Sequence, residues 1–152
     1  MMEGAIMTER NRKAILIVED EEDVAVLLRD RLERAGYVIH VEGRGKAALT
    51  YAADHRPDLV VLDLMLPDLD GNEVCRQLRK QQHAWAVPVL MLTARDKPVD
   101  QLRSFAHGAD AYLTKPYEAT ELLETIAFLL QDEEVRGADQ RDGPLQEQPG
   151  EG

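Results

Sequence analysis

The stretch that decides the fold is VVLDLMLPDLDG, which runs from Val60 to Gly71. Its apolar start is typical of a strand buried on both faces, as in a parallel sheet covered by helices. The run ends on one carboxylate, Asp63, and a Pro/Asp/Gly turn cluster follows at once. Open α/β sheets place their binding crevice at the carboxyl ends of the strands, so Asp63 is expected at such a crevice.

A second acidic cluster, residues 19–23, ends an earlier apolar run in the same way. A charge at the end of a buried strand is costly unless a metal ion or hydrogen bonds compensate it. Two strands that end in carboxylates therefore predict a small acidic pocket.

Five apolar runs alternate with five helical patterns along the chain. The predicted strands are Ala14–Val18, Val38–Glu42, Leu59–Leu62, Val87–Leu92 and Ala111–Thr114. Strands that alternate with helices of about 10 to 15 residues indicate βαβ units and a parallel sheet. The predicted fold class is α/β, a (βα)5 doubly wound domain around a five-stranded parallel sheet.

The helices are bounded by recognisable start and stop residues. Gly36 is expected to end the first helix, and Gly45–His55 forms the second. Asn72 is predicted to cap the third, and Pro98 suits the first turn of the fourth. The residues of the fourth helix expected to face inward are Val99, Leu102 and Ala106.

Composition limits the class of protein. The 152 residues carry a net charge of −11, which argues against binding to nucleic acid through phosphate neutralisation. No apolar stretch approaches the roughly 20 residues that span a membrane. The lone cysteine, Cys75, fits a reducing compartment, so a cytoplasmic location is expected. We expect an N-terminal extension at residues 1–11, a domain at 12–131 and a disordered polar tail or linker at 132–152.

The strand ends bring chemically useful groups to one edge of the sheet. They carry Glu19 and Asp20, Asp63, Thr93 and Ala94, and Lys115 and Pro116. Together they suit phosphoryl transfer onto a carboxylate, because two carboxylates can hold Mg²⁺ and a carboxylate can act as the nucleophile. A lysine supplies a second positive charge, and a threonine can donate a hydrogen bond to a phosphoryl oxygen.

This arrangement resembles the receiver domain of bacterial two-component response regulators over about residues 12–131. The matching segments are ILIVEDE (15–21), PDLVVLDLMLP (57–67) with Asp70 and Gly71, MLTA (91–94) and GADAYLTKP (108–116). The resemblance implies a flavodoxin-like receiver fold and a role in phosphorelay signal transduction. It also implies that the chain is no enzyme beyond catalysing its own phosphorylation and dephosphorylation.

The resemblance assigns roles to particular residues. Asp63 would be the phosphoacceptor, and Mg²⁺ would be held by Asp20, Asp63 and the backbone carbonyl of Met65. Glu19 would act near the metal, often through water. These are expectations carried over by position in the motifs.

The resemblance also implies a switch. Thr93 would meet the phosphoryl group, Lys115 would pair with it, and the Lys115–Pro116 peptide bond would be cis. Tyr112 would turn inward when Thr93 moves.

The partners implied are a sensor histidine kinase or phosphotransfer protein, with no membrane. A downstream protein partner, in place of nucleic acid, is expected on the face of the fourth helix, fifth strand and fifth helix. That face carries Arg103, His107, Tyr112 and Glu121. Because the fifth helix lacks arginine, we expect a monomer or a weak dimer. The chain is expected to be a single-domain receiver or a fragment of a longer regulator or hybrid kinase.

Two other classes share parts of this pattern. A phosphatase of the haloacid dehalogenase type would need an acidic residue two places after the nucleophile, where this chain has Met65. A flavodoxin-like cofactor binder would need a phosphate loop after the first strand, where residues 19–23 would repel phosphate.

Overall fold

The computed structural model describes residues 12–81 and 86–131. The strands are β1 (Ala14–Val18), β2 (Val38–Glu42), β3 (Leu59–Leu62), β4 (Val89–Thr93) and β5 (Ala111–Thr114). The helices are α1 (Glu22–Arg34), α2 (Gly45–His55), α3 (Gly71–Gln81), α4 (Pro98–Ala106) and α5 (Ala119–Leu130). The predicted extension at 1–11 and the predicted tail at 132–152 lie outside the described residues.

All strand pairs are parallel, and the sheet order is β2-β1-β3-β4-β5. The predicted fold class, with five parallel strands and five helices, is confirmed. No helix in the described ranges is long and apolar enough to cross a membrane.

The central strands are buried on both faces, because successive side chains point to opposite sides of the sheet. In β1, Leu16 and Val18 pack with α2 and α3, whereas Ile15 and Ile17 pack with α1 and α5. These two core layers hold the strands rigidly, which fixes the positions of the residues that follow each strand.

The fourth helix departs from its prediction. Val99, Leu102 and Ala106 are exposed rather than inward, and the buried residues of α4 are Asp100 and Ser104. Helical spacing correctly predicted that Val99, Leu102 and Ala106 share one face of α4. The face that packs against the rest of the domain is instead the polar one, which carries Asp100 and Ser104.

Two turn carboxylates cap helices. Asp70 Oδ1 accepts the backbone N–H of Asn72 at 2.7 Å, so Asp70 caps α3 and the prediction that Asn72 does so is wrong. Asp68 accepts the backbone N–H groups of Gly45 and Lys46 at 2.7 and 3.0 Å. The loop that follows Asp63 is thereby tied to the first turn of α2.

We expect Asp68→Ala to lower the free energy of unfolding by about 1 kcal/mol, the usual cost of losing an N-cap. The two amides hold the pKa of Asp68 below its usual range. The contribution of the cap is therefore present above about pH 4 and is lost as the pH falls through the folded pKa. Thermal unfolding at pH 7 should show a drop in Tm of about 4 °C, and the drop should shrink in acid.

The matched control is Asp54→Ala, an exposed carboxylate near the C-terminal end of α2. It removes the same charge without removing a cap. Equal Tm values for Asp68→Ala and the unaltered chain at pH 7 would contradict the capping role.

Candidate functional site

An acidic pocket of about 280 Å³ opens at the carboxyl edge of the sheet. It is lined by Glu19, Asp20, Glu21, Asp63, Met65, Ala94 and Lys115. A larger pocket of about 470 Å³ lies at the amino ends of β4 and β5, around Arg79. The pocket of about 280 Å³ is the better candidate site, because several ionisable side chains line it together. In the larger pocket, the charged side chain of Arg79 is already engaged in structural hydrogen bonds, since it donates to the carbonyl oxygens of Val87 and Gly108 and to the carboxylate of Asp110.

Asp63 lies directly after β3 and is buried, with 8% of its surface exposed. Its Oδ1 accepts the backbone N–H of Met65 at 3.0 Å. Its Oδ2 lies 3.3 Å from the Nζ of Lys115. Asp63 therefore has one oxygen fixed by its own loop and one that faces a cation across the pocket.

Lys115 makes its shorter ion pair with Glu19. Its Nζ donates to Glu19 Oε1 at 2.7 Å, and Glu19 Oε2 accepts the backbone N–H of Glu21 at 3.1 Å. Burial raises the pKa of Glu19 despite these hydrogen bonds. Burial also works to lower the pKa of Lys115, but Glu19 and Asp63 outweigh it and the pKa is raised. Lys115 thus carries its charge between two carboxylates at neutral pH.

The oxygen donors that line the pocket suit Mg²⁺ better than a metal that needs a closed cage of protein ligands. In the described ranges, no three His, Cys, Asp or Glu side chains group so as to hold a metal ion. Mg²⁺ does not need such a cage, since it keeps several waters and takes one or two carboxylates. Asp20 is exposed, lines the pocket and has no side-chain partner among residues 12–81 and 86–131. The residues therefore fit a partly hydrated Mg²⁺.

Thr93 and Tyr112 lie beside the pocket rather than in its lining. Thr93 is fully buried at the end of β4, and its Oγ1 accepts the backbone N–H of Arg95 at 3.4 Å. Tyr112 Oη donates to the carbonyl oxygen of Arg95 at 2.8 Å. Burial raises the pKa of Tyr112, and the charge of Asp100 adds to it. Arg95 thus links the two residues, a role that the sequence pattern did not predict although Arg95 follows Thr93 by two residues in the chain.

Gly71 packs closely against the backbone of the loop that carries Asp63. A Cβ at this position would collide with the carbonyl oxygen of Asp63 and would lie 2.7 Å from the Cα of Leu64. The backbone N–H of Gly71 donates to the carbonyl oxygen of Leu64 at 2.9 Å. The start of α3 is therefore in direct contact with the backbone that carries Asp63. The Lys115–Pro116 peptide bond, on the other side of the pocket, is cis.

The family model and the similar proteins indicate the same family. The model of the response regulator receiver domain matches residues 15–127. The alkaline phosphatase synthesis transcriptional regulatory protein PhoP of Bacillus subtilis (strain 168) is 45% identical over 123 residues, covering 81% of this chain and 50% of PhoP. The DNA-binding dual master transcriptional regulator RpaA of Synechocystis is 41% identical over 116 residues, covering 76% of this chain and 48% of RpaA. The chain spans about half the length of these relatives.

The fold matches solved structures as well. One is the receiver domain of the sensor histidine kinase PA1611 from Pseudomonas aeruginosa PAO1, described with a magnesium ion coordinated in the active site cleft. It superposes with a TM-score of 0.73 at 29% identity and covers 79% of this chain and 98% of that one.

The partner prediction is corrected by these relatives. We expected a protein partner in place of nucleic acid, but PhoP and RpaA are named as a transcriptional regulatory protein and a DNA-binding regulator. The prediction rested in part on the net charge of −11, which argues against non-specific binding to nucleic acid. Net charge describes the average electrostatic field of this chain. It does not show what the regulators related to the chain bind.

Proposed function

This chain belongs to the family of response regulator receiver domains, and we propose that Asp63 is the residue that accepts the phosphoryl group in its phosphorelay signalling. One observation carries the assignment: Asp63 is a buried carboxylate with one oxygen facing Lys115 inside an acidic pocket. Asp20 is exposed, and Glu19 is held by Lys115 through the shorter ion pair. Asp63 is therefore the best-placed nucleophile among the carboxylates of the pocket.

In the proposed step, an oxygen of Asp63 forms a bond to phosphorus while the bond from phosphorus to the donor breaks. The leaving group of the donor keeps the electron pair, whether that donor is a phosphohistidine of a sensor kinase or a small acyl phosphate. Oδ2 is the better-placed oxygen, because Oδ1 accepts the backbone N–H of Met65. Lys115, 3.3 Å from Oδ2, is placed to pair with the phosphoryl oxygens.

Asp20, Asp63 and the backbone carbonyl of Met65 would hold Mg²⁺, and Glu19 would act near it through water. When bound, Mg²⁺ offsets the negative charge of the incoming phosphoryl group and aligns it with the attacking oxygen. The support for this proposal is the carboxylate of Asp20, which lines the pocket with Asp63 and has no side-chain partner in the part of the chain that the structure describes. Asp63 also shares its pocket with Met65, which follows it by two residues.

We propose further that Thr93 and Tyr112 form the switch. Tyr112 donates to the carbonyl oxygen of Arg95, and Thr93 accepts from the N–H of the same residue, so movement of either changes the loop between β4 and α4. We also propose that this signalling domain catalyses no reaction beyond its own phosphorylation and dephosphorylation. Membership of the receiver family also disfavours the two alternatives, the dehalogenase-type phosphatase and the flavodoxin-like cofactor binder.

The metal proposal predicts that Asp20→Ala removes Mg²⁺-dependent labelling. We expect the unaltered chain to gain one phosphoryl group from acetyl phosphate only when Mg²⁺ is present. Asp20→Ala should label about 100-fold more slowly or not at all, because one of two charged ligands is lost and the incoming charge is less well stabilised. Intact-mass spectrometry over time gives the rate.

The control for this experiment is Asp23→Ala, an exposed carboxylate in the first turn of α1. It lowers the local negative charge by the same amount and should label at the rate of the unaltered chain. Labelling of Asp20→Ala at that same rate would overturn the metal proposal.

A further inference from the structure

Helix α4 is held differently from the other helices. Within the described ranges, it contributes no residue to either core cluster. Its side chains Val99, Leu102 and Phe105 are exposed, and its buried residues are Asp100 and Ser104. A segment with few buried apolar contacts opens at low free-energy cost, so polar contacts have a large share in holding α4 in place.

The best-defined of these contacts joins α4 to α3. Ser104 is fully buried, and its Oγ donates to Asn72 Oδ1 at 2.9 Å. A buried hydroxyl cannot exchange its partner for water, so breaking this hydrogen bond costs more than breaking one at the surface. The ion pair between Arg95 and Asp100 is longer, at 3.7 Å, and Arg95 is half-exposed.

Asn72 also lies next to the phosphoacceptor loop. It is the second residue of α3, and the first, Gly71, packs against the backbone of Asp63. The backbone of Asp63 and helix α4 are therefore connected through Gly71, Asn72 and Ser104. This connection does not use Thr93 or Tyr112.

We propose that the hydrogen bond between Asn72 and Ser104 is a latch that holds α4 in its present position and opposes activation. Its role in activation rests on the proposed function of Asp63. A hydrogen bond present in only one of two states favours that state by its own free energy, and a ligand that selects the other state must overcome it. Removing the latch therefore makes α4 open more often and makes a phosphoryl mimic bind more tightly.

The first test is amide hydrogen exchange of the chain without any phosphodonor. Rates in α4 are normalised to the buried amides of β3, which corrects for any change in global stability. Ser104→Ala should raise exchange in α4 about tenfold, the typical worth of one buried hydrogen bond. Asn72→Ala should do the same, and the double variant should add little more, because both remove one interaction.

Two further variants keep the test specific. Asn72→Asp retains an oxygen acceptor and should leave exchange in α4 within about twofold of the unaltered chain. Thr125→Ala removes a hydroxyl from α5 that donates to the carbonyl oxygen of Glu121, and it should leave α4 unchanged. Exchange in α4 of Ser104→Ala equal to that of Thr125→Ala would overturn the latch, as would fully additive effects of Ser104→Ala and Asn72→Ala.

The second test measures binding of beryllium fluoride with Mg²⁺ by titration. Ser104→Ala should bind it severalfold more tightly, up to the factor seen in exchange. Faster exchange with unchanged affinity would overturn the claim that the latch opposes activation. Failure of the unaltered chain to bind beryllium fluoride would count against the proposed function of Asp63, and the exchange experiment would still decide whether the latch exists.

Discussion

Asp63→Asn is expected to abolish labelling by a phosphodonor in the presence of Mg²⁺. The amide is isosteric with the carboxylate but is a far weaker nucleophile and carries no charge for a metal ion. The loss should reach the background of the intact-mass measurement. The fold should survive, because the amide oxygen can still accept the N–H of Met65 and the change of volume is small.

The matched controls lie on the same loop. Asp68→Asn and Asp70→Asn change the same functional group in two helix caps, a few residues from Asp63. Both should be labelled to the same extent as the unaltered chain after correction for any unfolded fraction. Labelling of Asp63→Asn to the same extent as these controls would contradict the assignment.

Gly71→Ala is expected to lower the free energy of unfolding by about 3 kcal/mol, at the severe end for an overpacked site. Alanine is the better helix former by about 1 kcal/mol, which would favour the variant. The added Cβ would, however, collide with the backbone of Asp63 and Leu64, and backbone cannot rotate away as a flexible side chain can. The collision should therefore outweigh the gain in helix propensity.

The same variant should lose activity as well as stability. Relief of the collision moves the loop that carries Asp63, and a displacement of about 1 Å at a reacting group can cost 100-fold in rate. Urea unfolding measures the first effect and acetyl phosphate labelling the second. The control is Gly43→Ala, where the nearest atoms to a new Cβ are 3.7 and 3.8 Å away and no left-handed backbone is required. Equal stability of the two variants would contradict the packing role of Gly71.

The sequence was sufficient to predict the sheet and the groups at its edge. Buried parallel strands have a strong signal, since both faces are apolar and each run stops where a polar residue begins. The predicted bounds of β1, β2, β3 and β5 coincide with those in the structure, while β4 runs from Val89 to Thr93 rather than from Val87 to Leu92. Because all strands are parallel, the residues after β1, β3 and β5 had to meet.

The orientation of α4 was not predictable by the same reasoning. Spacing along a helix shows which residues share a face but not which neighbour that face meets. The usual assumption that the apolar stripe points inward failed, because Ser104 pairs with Asn72 on α3 and Asp100 lies near Arg95. Both contacts depend on the side chains of other elements, which only the tertiary structure brings near.

The ion pairs within the pocket were not predictable from the sequence for the same reason. The motifs placed Glu19 near a metal and Lys115 near a phosphoryl group, yet the shorter of the two ion pairs in the pocket joins these two residues to each other. They are 96 residues apart in the chain. Strand order could show that they share an edge but could not show which carboxylate lies within reach of the ammonium.

The most direct measurement of the central claim is chemical trapping of the phosphorylated residue. The chain is labelled with acetyl phosphate and Mg²⁺, treated with borohydride and mapped by peptide mass spectrometry. Borohydride reduces an acyl phosphate to an alcohol, so phosphorylation of Asp63 predicts homoserine at position 63 and unmodified aspartate at Asp20, Asp68 and Asp70. Homoserine at one of those other positions, or a phosphoryl group that resists reduction on another residue, would contradict the account.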